Sequence, residues 1–248
     1  MRIVQITDLH VGREGEETYG VDVRANFLNI LQAAQKWQPQ YLVLSGDLCY
    51  RSGETGIYTW IRQQLDEQGI PYEVLSGNHD DPAMMAKAFG RESLLKNGEL
   101  YYAREWNGRK VIFLDTTTGM VSGQQQGWLR EQLQHMEHEA MIFMHHPPLM
   151  AGVPFMDSRH ALRNRGEVQA ILLAHPFNVH VFSGHYHVEK AVRKQNILVH
   201  ITPSCFFQIG QVSEQFQVDH YRIALRDINW DNGVMMNAVH YLNGEVQH

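Results

Sequence analysis

Five short polar motifs, each placed directly after an apolar run of strand length, constrain this chain more than any other feature. They are Asp8-Leu9-His10, Ser45-Gly46-Asp47, Ser76-Gly77-Asn78-His79-Asp80, His145-His146 and Ser183-Gly184-His185-Tyr186-His187. The runs Arg2 to Thr7, Tyr41 to Ser45, Tyr72 to Ser76, Val111 to Asp115, Ala140 to Met144 and Val179 to Ser183 read as strands, each closed by a turn or polar signal. Between them, Val23, Phe27, Ile30, Leu31 and Ala34 fall at helix spacing behind Asp22, a candidate N-cap. Ile57, Ile61 and Leu65 make a second apolar helix face, and Leu129, Leu133 and Met136 a third behind Ser122. Strands alternating with amphipathic helices predict βαβ units and mainly parallel, buried pairing. After Val188 the helices stop, and Ala191 to Arg193, Asn196 to Ile201, Gln215 to Leu225 and Gly233 to Leu242 read as strands of a second, largely antiparallel sheet. The expected fold class is α/β, with two mixed β-sheets packed face to face and helices outside, four layers in all. No repeat, linker or charge block interrupts the 248 residues, which predicts one domain over 1–248.

In open α/β sheets ligands bind beyond the carboxyl ends of the strands, and that is where the motifs stand. An aspartate there is ordinarily a turn or cap residue, and a lone histidine is ordinarily a surface or core group. Turn chemistry accounts for the Gly and Asp, but not for His10, His145, His185 and His187 recurring at successive strand exits. Three exits share the order Ser-Gly-ligand, where a glycine lets the backbone approach an ion closely. Imidazole, carboxylate and amide donors without thiolates suit Mn, Fe or Zn better than Ca or Mg. The set is too large for one ion and fits two, about 3.5–4 Å apart and sharing a carboxylate. Cys49 and Cys205 offer neither a disulfide framework nor a thiolate knuckle. A net charge of −6 argues against a nucleic-acid polymer as partner, but a small anion is compatible if metal ions supply the positive charge. The first residues run straight into a strand pattern, and no apolar run approaches the roughly 18 residues that span a bilayer. The expectation is a soluble, cytoplasmic monomer or homodimer with no membrane partner.

The order D-x-H, G-D, G-N-H-D, H-H-P-P, G-H-x-H resembles the calcineurin-like metallophosphoesterase superfamily from Arg2 to about Ile201. Gly20-Val21 after the first motif, His160-Ala161-Leu162-Arg163-Asn164 after the double histidine, and Thr202-Pro203-Ser204 resemble the bacterial class III cyclic nucleotide phosphodiesterases. The resemblance implies Asp8, His10 and His187 on one ion, Asp47 as bridge, and Asn78, His145 and His185 on the other, the ions being Fe and/or Mn, with Zn an alternative. His145 is preferred over His146 because it directly follows the apolar strand, which leaves His146 behind it or facing substrate. The resemblance also implies hydrolysis of 3′,5′-cyclic AMP to 5′-AMP by a metal-bridging hydroxide. His79 would then contact the phosphate or protonate the leaving oxygen, while Asp80 either orients it or caps a helix. His79, His146, His160, Arg163 and Asn164 become candidate substrate contacts; a capped surface helix beginning near Asp157 is the other reading of the last three. Phe206 and Phe207 either stack on a base or divide into one core and one surface residue. The same site in this superfamily can act on glycerophosphodiesters, other nucleotide phosphodiesters or nucleotide pyrophosphates. A non-catalytic scaffold, a further alternative, would not need the full ligand set. His135, His138, His175, His180, His200, His220, His240 and His248 lie outside any motif and read as structural or solvent-exposed.

Overall fold

The apolar runs become strands because branched and aromatic side chains alternate between two packed faces. The computed structural model describes residues 1–246, so His248 lies outside the described residues. The chain runs β1 (Arg2–Ile6), α1 (Val23–Gln35), β2 (Tyr41–Ser45), α2 (Thr55–Gln68), β3 (Tyr72–Leu75) and α3 (Pro82–Ala88). It continues through β4 (Leu95–Lys96), β5 (Glu99–Leu100), β6 (Tyr102–Trp106), β7 (Arg109–Leu114), α4 (Gly123–Gln134) and β8 (Ala140–Met144). Then come α5 (Pro154–Arg159), α6 (Arg165–Leu173), β9 (Val179–Ser183), β10 (Lys190–Lys194) and β11 (Ile197–Ile201). Last are β12 (Gln208–Ile209), β13 (Val218–His220), β14 (Ile223–Asp231) and β15 (Val234–Leu242).

Two mixed sheets result, with strand orders β15-β14-β1-β2-β3 and β10-β11-β9-β8-β7-β6. In the first, β1, β2 and β3 are parallel and β14 and β15 antiparallel. In the second, β7, β8, β9 and β11 are parallel, with β6 and β10 antiparallel at the edges. This corrects the expected division into an early parallel sheet and a late antiparallel one. The later helix-linked strands β7 to β9 found the second sheet, and β14 returns to pair with β1.

Phe113, Phe143 and Phe182 stack in sequence between the sheets, with ring centroids 5.5 and 5.3 Å apart. Each buried ring of this kind contributes about 1.5–3 kcal/mol by leaving water. Their neighbours Ile112, Leu114, Ile142 and Val181 belong to a second core with Leu129, Leu133, Val168 and Leu172 of α4 and α6. The predicted caps are present: Asp22 accepts the Ala25 amide at 3.0 Å, and Ser122 accepts that of Gln125 at 3.2 Å.

The predicted strand Gln215 to Leu225 is broken, because Val218–His220 pairs with β12 while Ile223–Asp231 enters the main sheet. Polar residues conceal β14 in the sequence. Arg226 is buried between the sheets, bonded to Thr202, Asn237 and the Ile201 carbonyl, and Asp227 pairs with Arg2 at 2.8 Å. No helix among the described residues is long and apolar enough to cross a membrane.

Candidate metal centre

The loops that leave β1, β2, β3, β8 and β9 meet at one rim of the two sheets. The first two keep pairing beyond their strands: the Asp8 amide donates to the Gly46 carbonyl and the His10 amide to that of Asp47, both at 3.0 Å. The third motif is bound to the second, since the His79 amide donates to Asp47 Oδ1 at 2.9 Å. The second sheet is joined to the first through Asp8, whose carboxylate accepts the His185 amide at 3.0 Å and the Thr7 hydroxyl at 2.8 Å. Asp8, His10, Asp47, His185 and His187 all hold φ between 46° and 67°. This left-handed region is costly for residues with a Cβ, and such strain collects at functional sites.

The rim gathers three groups of donor atoms within 4.8 Å of one another: Asp8, His10 and His187; His10, Asp47 and His79; and Asp47, His145 and His185. His187 Nε2 lies 3.3 Å from Asp8 Oδ1, and His145 Nε2 lies 3.2 Å from Asp47 Oδ2. His10 Nε2 faces His187 Nε2 at 3.1 Å. The far ring nitrogens are tied down by backbone carbonyls. His145 Nδ1 meets the carbonyl of Ser45, His187 Nδ1 that of Phe207, and His185 Nε2 that of His160, each at 2.9 Å. Such outer contacts fix the ring orientation and aim the free nitrogen inward. His145 Nε2 is buried with no hydrogen-bond partner. The convergence of imidazole nitrogens and carboxylates around unsatisfied positions fits divalent or trivalent metal ions.

The local sequence explains itself at this scale. A Cβ on Gly184 would strike the Thr7 hydroxyl and the Asp8 carboxylate, and one on Gly77 would strike Asp47. We expect Gly184→Ala to push Asp8 out of place, destabilise the protein by about 1–3 kcal/mol and lower metal content. Unchanged melting temperature and metal content would count against this geometry. Two serines of the Ser-Gly-ligand order, Ser45 and Ser76, help hold the rim together through their hydroxyls. Gln5 donates to Ser45 Oγ at 2.8 Å and accepts from Thr202 at 2.7 Å, while Thr117 donates to Ser76 at 2.8 Å.

Charge is arranged to match. Burial holds His10 and His185 down to about 3, so both rings are neutral donors of a lone pair. Burial works to raise Asp8, but His187 and His145 outweigh it and hold the carboxyl at about 2. Asp47 likewise stays well below the carboxylate range against its burial, through His145 and His10. His145 goes the other way: burial disfavours its charge, yet Asp47 and Asp8 raise it to about 9. In metal-stripped protein, His10 and His185 therefore contribute stability that is full above the unfolded histidine value of about 6.5 and is lost as pH falls toward about 3. His145 contributes stability that is full below about 6.5 and is lost as pH rises through about 9. The melting temperature of the stripped protein should peak near pH 6.5 and fall on both sides. Manganese should remove the alkaline fall, because metal displaces the His145 proton. Melts at about pH 5, 6.5 and 9 test this; an alkaline fall identical with and without metal would refute it.

Asp80 neither orients His79 nor caps α3, the cap being Asp81. Its buried carboxylate accepts the amides of Leu48, Cys49 and Gly77 and the Tyr58 hydroxyl, binding the second and third motif loops together. Burial and the nearby Asp47 raise it to about 6. His146 is not one of the clustered donors: its ring packs on that of His185 at 4.0 Å between centroids with Nδ1 2.8 Å from the Thr116 hydroxyl oxygen, and burial lowers it well below the usual histidine value.

Asn78, His79, His160, His185 and His187 line a cavity of about 330 Å³ whose other wall is aromatic. A polar groove of about 270 Å³ lies beside it, lined by Asn78, His146, Arg159, His160 and Arg163 among others. His160 belongs to both. Asn164, expected at the substrate, lines neither: it is buried and holds the Val121 backbone through both its amide atoms, at 3.1 and 2.8 Å. The helix expected near Asp157 begins earlier, at Pro154, and Asp157 instead accepts three backbone amides and the Tyr186 hydroxyl. Phe206 and Phe207 are both buried rather than split between core and surface.

The calcineurin-like phosphoesterase family profile matches residues 1–189, the stretch that carries all five motifs. This chain belongs to that family. A probable cyclic nucleotide phosphodiesterase of Fibrobacter succinogenes is 34% identical over 243 residues, covering 98% of this chain and 94% of the relative. The 3′,5′-cyclic adenosine monophosphate phosphodiesterase of Escherichia coli K12 is 26% identical, covering 98% and 90%. A glycerophosphodiester phosphodiesterase of Enterobacter lignolyticus is 27% identical, covering 86% and 81%. The fold is that of a dimetal phosphatase from Danio rerio, with a TM-score of 0.68 at 14% identity over 98% of both chains. The protein is thus a metal-dependent phosphoesterase of the calcineurin-like family, and its His/Asp groups are consistent with a binuclear centre.

Proposed function

We propose that this phosphoesterase hydrolyses 3′,5′-cyclic nucleotides, converting 3′,5′-cyclic AMP to 5′-AMP. One observation carries the reading: three overlapping His/Asp groups, one of them including His79, converge at one rim beside a cavity of about 330 Å³. Two relatives named for cyclic nucleotides, aligned over 98% of the chain, support the substrate class. Asp8, His10 and His187 would hold one ion and Asn78, His145 and His185 the other. Asp47 stands between, 3.7 Å from His10 Nε2 and 3.2 Å from His145 Nε2. When bound, the ions supply the positive charge for the phosphoryl oxygens and the acidified water that hydrolysis needs.

The chain's own residues do the rest. Asp8 and Asp47 stay ionised, facing His187 and His145 at 3.3 and 3.2 Å. His79 points its ring at the centre, Nε2 4.0 Å from Asp47 Oδ2, while its side chain remains 36% exposed on the cavity side. From there it gives a proton to the departing 3′ oxygen as the bond from phosphorus to that oxygen breaks. Arg163 donates to the Thr118 carbonyl at 2.6 Å and fixes the polar groove, where His146 and His160 face a polar part of the substrate.

Manganese-reconstituted protein assayed side by side on 3′,5′-cyclic AMP, 3′,5′-cyclic GMP, 2′,3′-cyclic AMP and a glycerophosphodiester tests the reading. Chromatography should show 5′-AMP, with the highest kcat/KM on the 3′,5′-cyclic nucleotides. Turnover confined to the glycerophosphodiester would replace this substrate class with that of the Enterobacter relative.

A further inference from the structure

The cavity wall facing the donor cluster is built from aromatic rings on separate segments of the chain. Tyr19 comes from the segment after β1, Phe155 from α5, Phe207 from the segment after β11 and Phe216 from the loop between β12 and β13. Their rings meet edge-on or tilted: Tyr19 to Phe207 5.3 Å, Phe207 to Phe216 5.8 Å, Phe155 to Phe216 5.8 Å and Tyr19 to Phe216 6.1 Å between centroids. Two neighbours already have structural work. Phe206 is 2% exposed and packs on His10 at 5.1 Å, and Phe207 is 5% exposed with its carbonyl holding His187. Tyr19 and Phe216, by contrast, remain 49% and 41% exposed.

Aromatic rings left partly open around a concave site mark a place for an apolar ligand surface. Tyr19 also holds φ at 53°, a backbone position that costs energy for a residue with a Cβ. Among the described residues no lysine or arginine lines this cavity, whereas Arg159 and Arg163 line the polar groove on the other side of His160. The two sides of the centre are thus sorted, flat and uncharged on one, cationic on the other.

We propose that Tyr19, Phe155 and Phe216 form a stacking slot for the planar base of a nucleotide whose phosphate sits at the metal centre. The slot selects a heterocycle over a base-free phosphoester but does not choose between adenine and guanine. Strong discrimination between purines needs fixed complementary donors and acceptors. Among the described aromatic residues of the wall, the side-chain polar groups are the hydroxyls of Tyr19 and Tyr50, each able to donate or accept. The inference rests on the phosphoesterase reading for the phosphate anchor, and it sharpens that reading to nucleotides as a class.

The test is calorimetric binding of 5′-AMP, 5′-GMP and ribose 5-phosphate to manganese-loaded protein, with Phe155→Ala, Phe216→Ala and the ring-preserving Phe216→Tyr beside wild type. One base on an aromatic wall contributes roughly ten- to hundredfold in affinity. Wild type should bind both nucleotides at least about tenfold tighter than ribose 5-phosphate and within about threefold of each other. Each alanine variant should erase most of that advantage while ribose 5-phosphate affinity holds, and Phe216→Tyr should retain it. Equal losses on all three ligands, or no base advantage in wild type, would overturn the slot. A preference of about tenfold for one purine would overturn its tolerance. These ligands carry no cyclic ester, so the outcome is independent of turnover. A base advantage without hydrolysis of any cyclic nucleotide would sink the proposed reaction and leave the slot standing, and hydrolysis without a base advantage would do the reverse.

Discussion

Asp47→Ala is expected to remove both bound metal and turnover while leaving the protein folded. Asp47 is the one carboxylate that belongs to two of the three donor groups at the rim. It lies between His10 and His145, and it also accepts the His79 amide, so its loss unties the third motif as well. Without it His145 loses the larger of the two charges that face it, the other being Asp8, 3.8 Å from its Nε2. Metal content should fall below one ion per chain, and kcat should fall by about a thousandfold or more. Elemental analysis and steady-state kinetics on the same preparation check this, with a thermal melt to confirm folding. Asp47→Asn separates shape from charge and should behave nearly as badly. Two ions and an undiminished rate in Asp47→Ala would remove Asp47 from its place as the bridge.

His79→Ala should have a different signature. The ring lies in the cavity wall with Nδ1 unpartnered and Nε2 aimed at the centre, but the surrounding donors do not depend on it for position. Metal content should therefore stay within error of wild type while kcat on 3′,5′-cyclic AMP falls about 10²–10⁴-fold, the usual loss when a general acid is removed. A p-nitrophenyl phosphodiester has a leaving group that needs no proton, and on it the loss should shrink to less than about tenfold. Equal losses on the two substrates would show that His79 binds or positions phosphate instead of protonating the leaving oxygen.

What the sequence made legible is confined to groups whose chemistry and strand-end position coincide. Asp8, His10, Asp47, His79, His145, His185 and His187 are drawn into one cluster because each follows a strand that ends at the same rim. The carbonyls of Ser45, His160 and Phe207 that aim the imidazoles were beyond reach, since a backbone oxygen carries no sequence signature. Asp80 had a motif around it, but its real partners come from Leu48, Cys49 and Tyr58, which only folding brings near. Asn164 looked like a substrate contact beside Arg163, yet one residue along the chain was enough to turn it onto Val121. In the fold, β14 was hidden because Arg226 and Asp227 break its hydrophobic alternation, and their partners Thr202 and Arg2 are distant in sequence. Tyr19 and Phe216 lie outside every motif, and only the folded chain brings them to one cavity.

The proposed centre is a coupled pair of ions held by these loops around Asp47. Titration of metal-stripped protein with manganese(II), followed by electron paramagnetic resonance, tests it most directly. Uptake of two ions per chain is expected, with a spin-coupled signal that is absent in Asp47→Ala. Saturation at a single ion, or two ions whose signals stay independent, would contradict it.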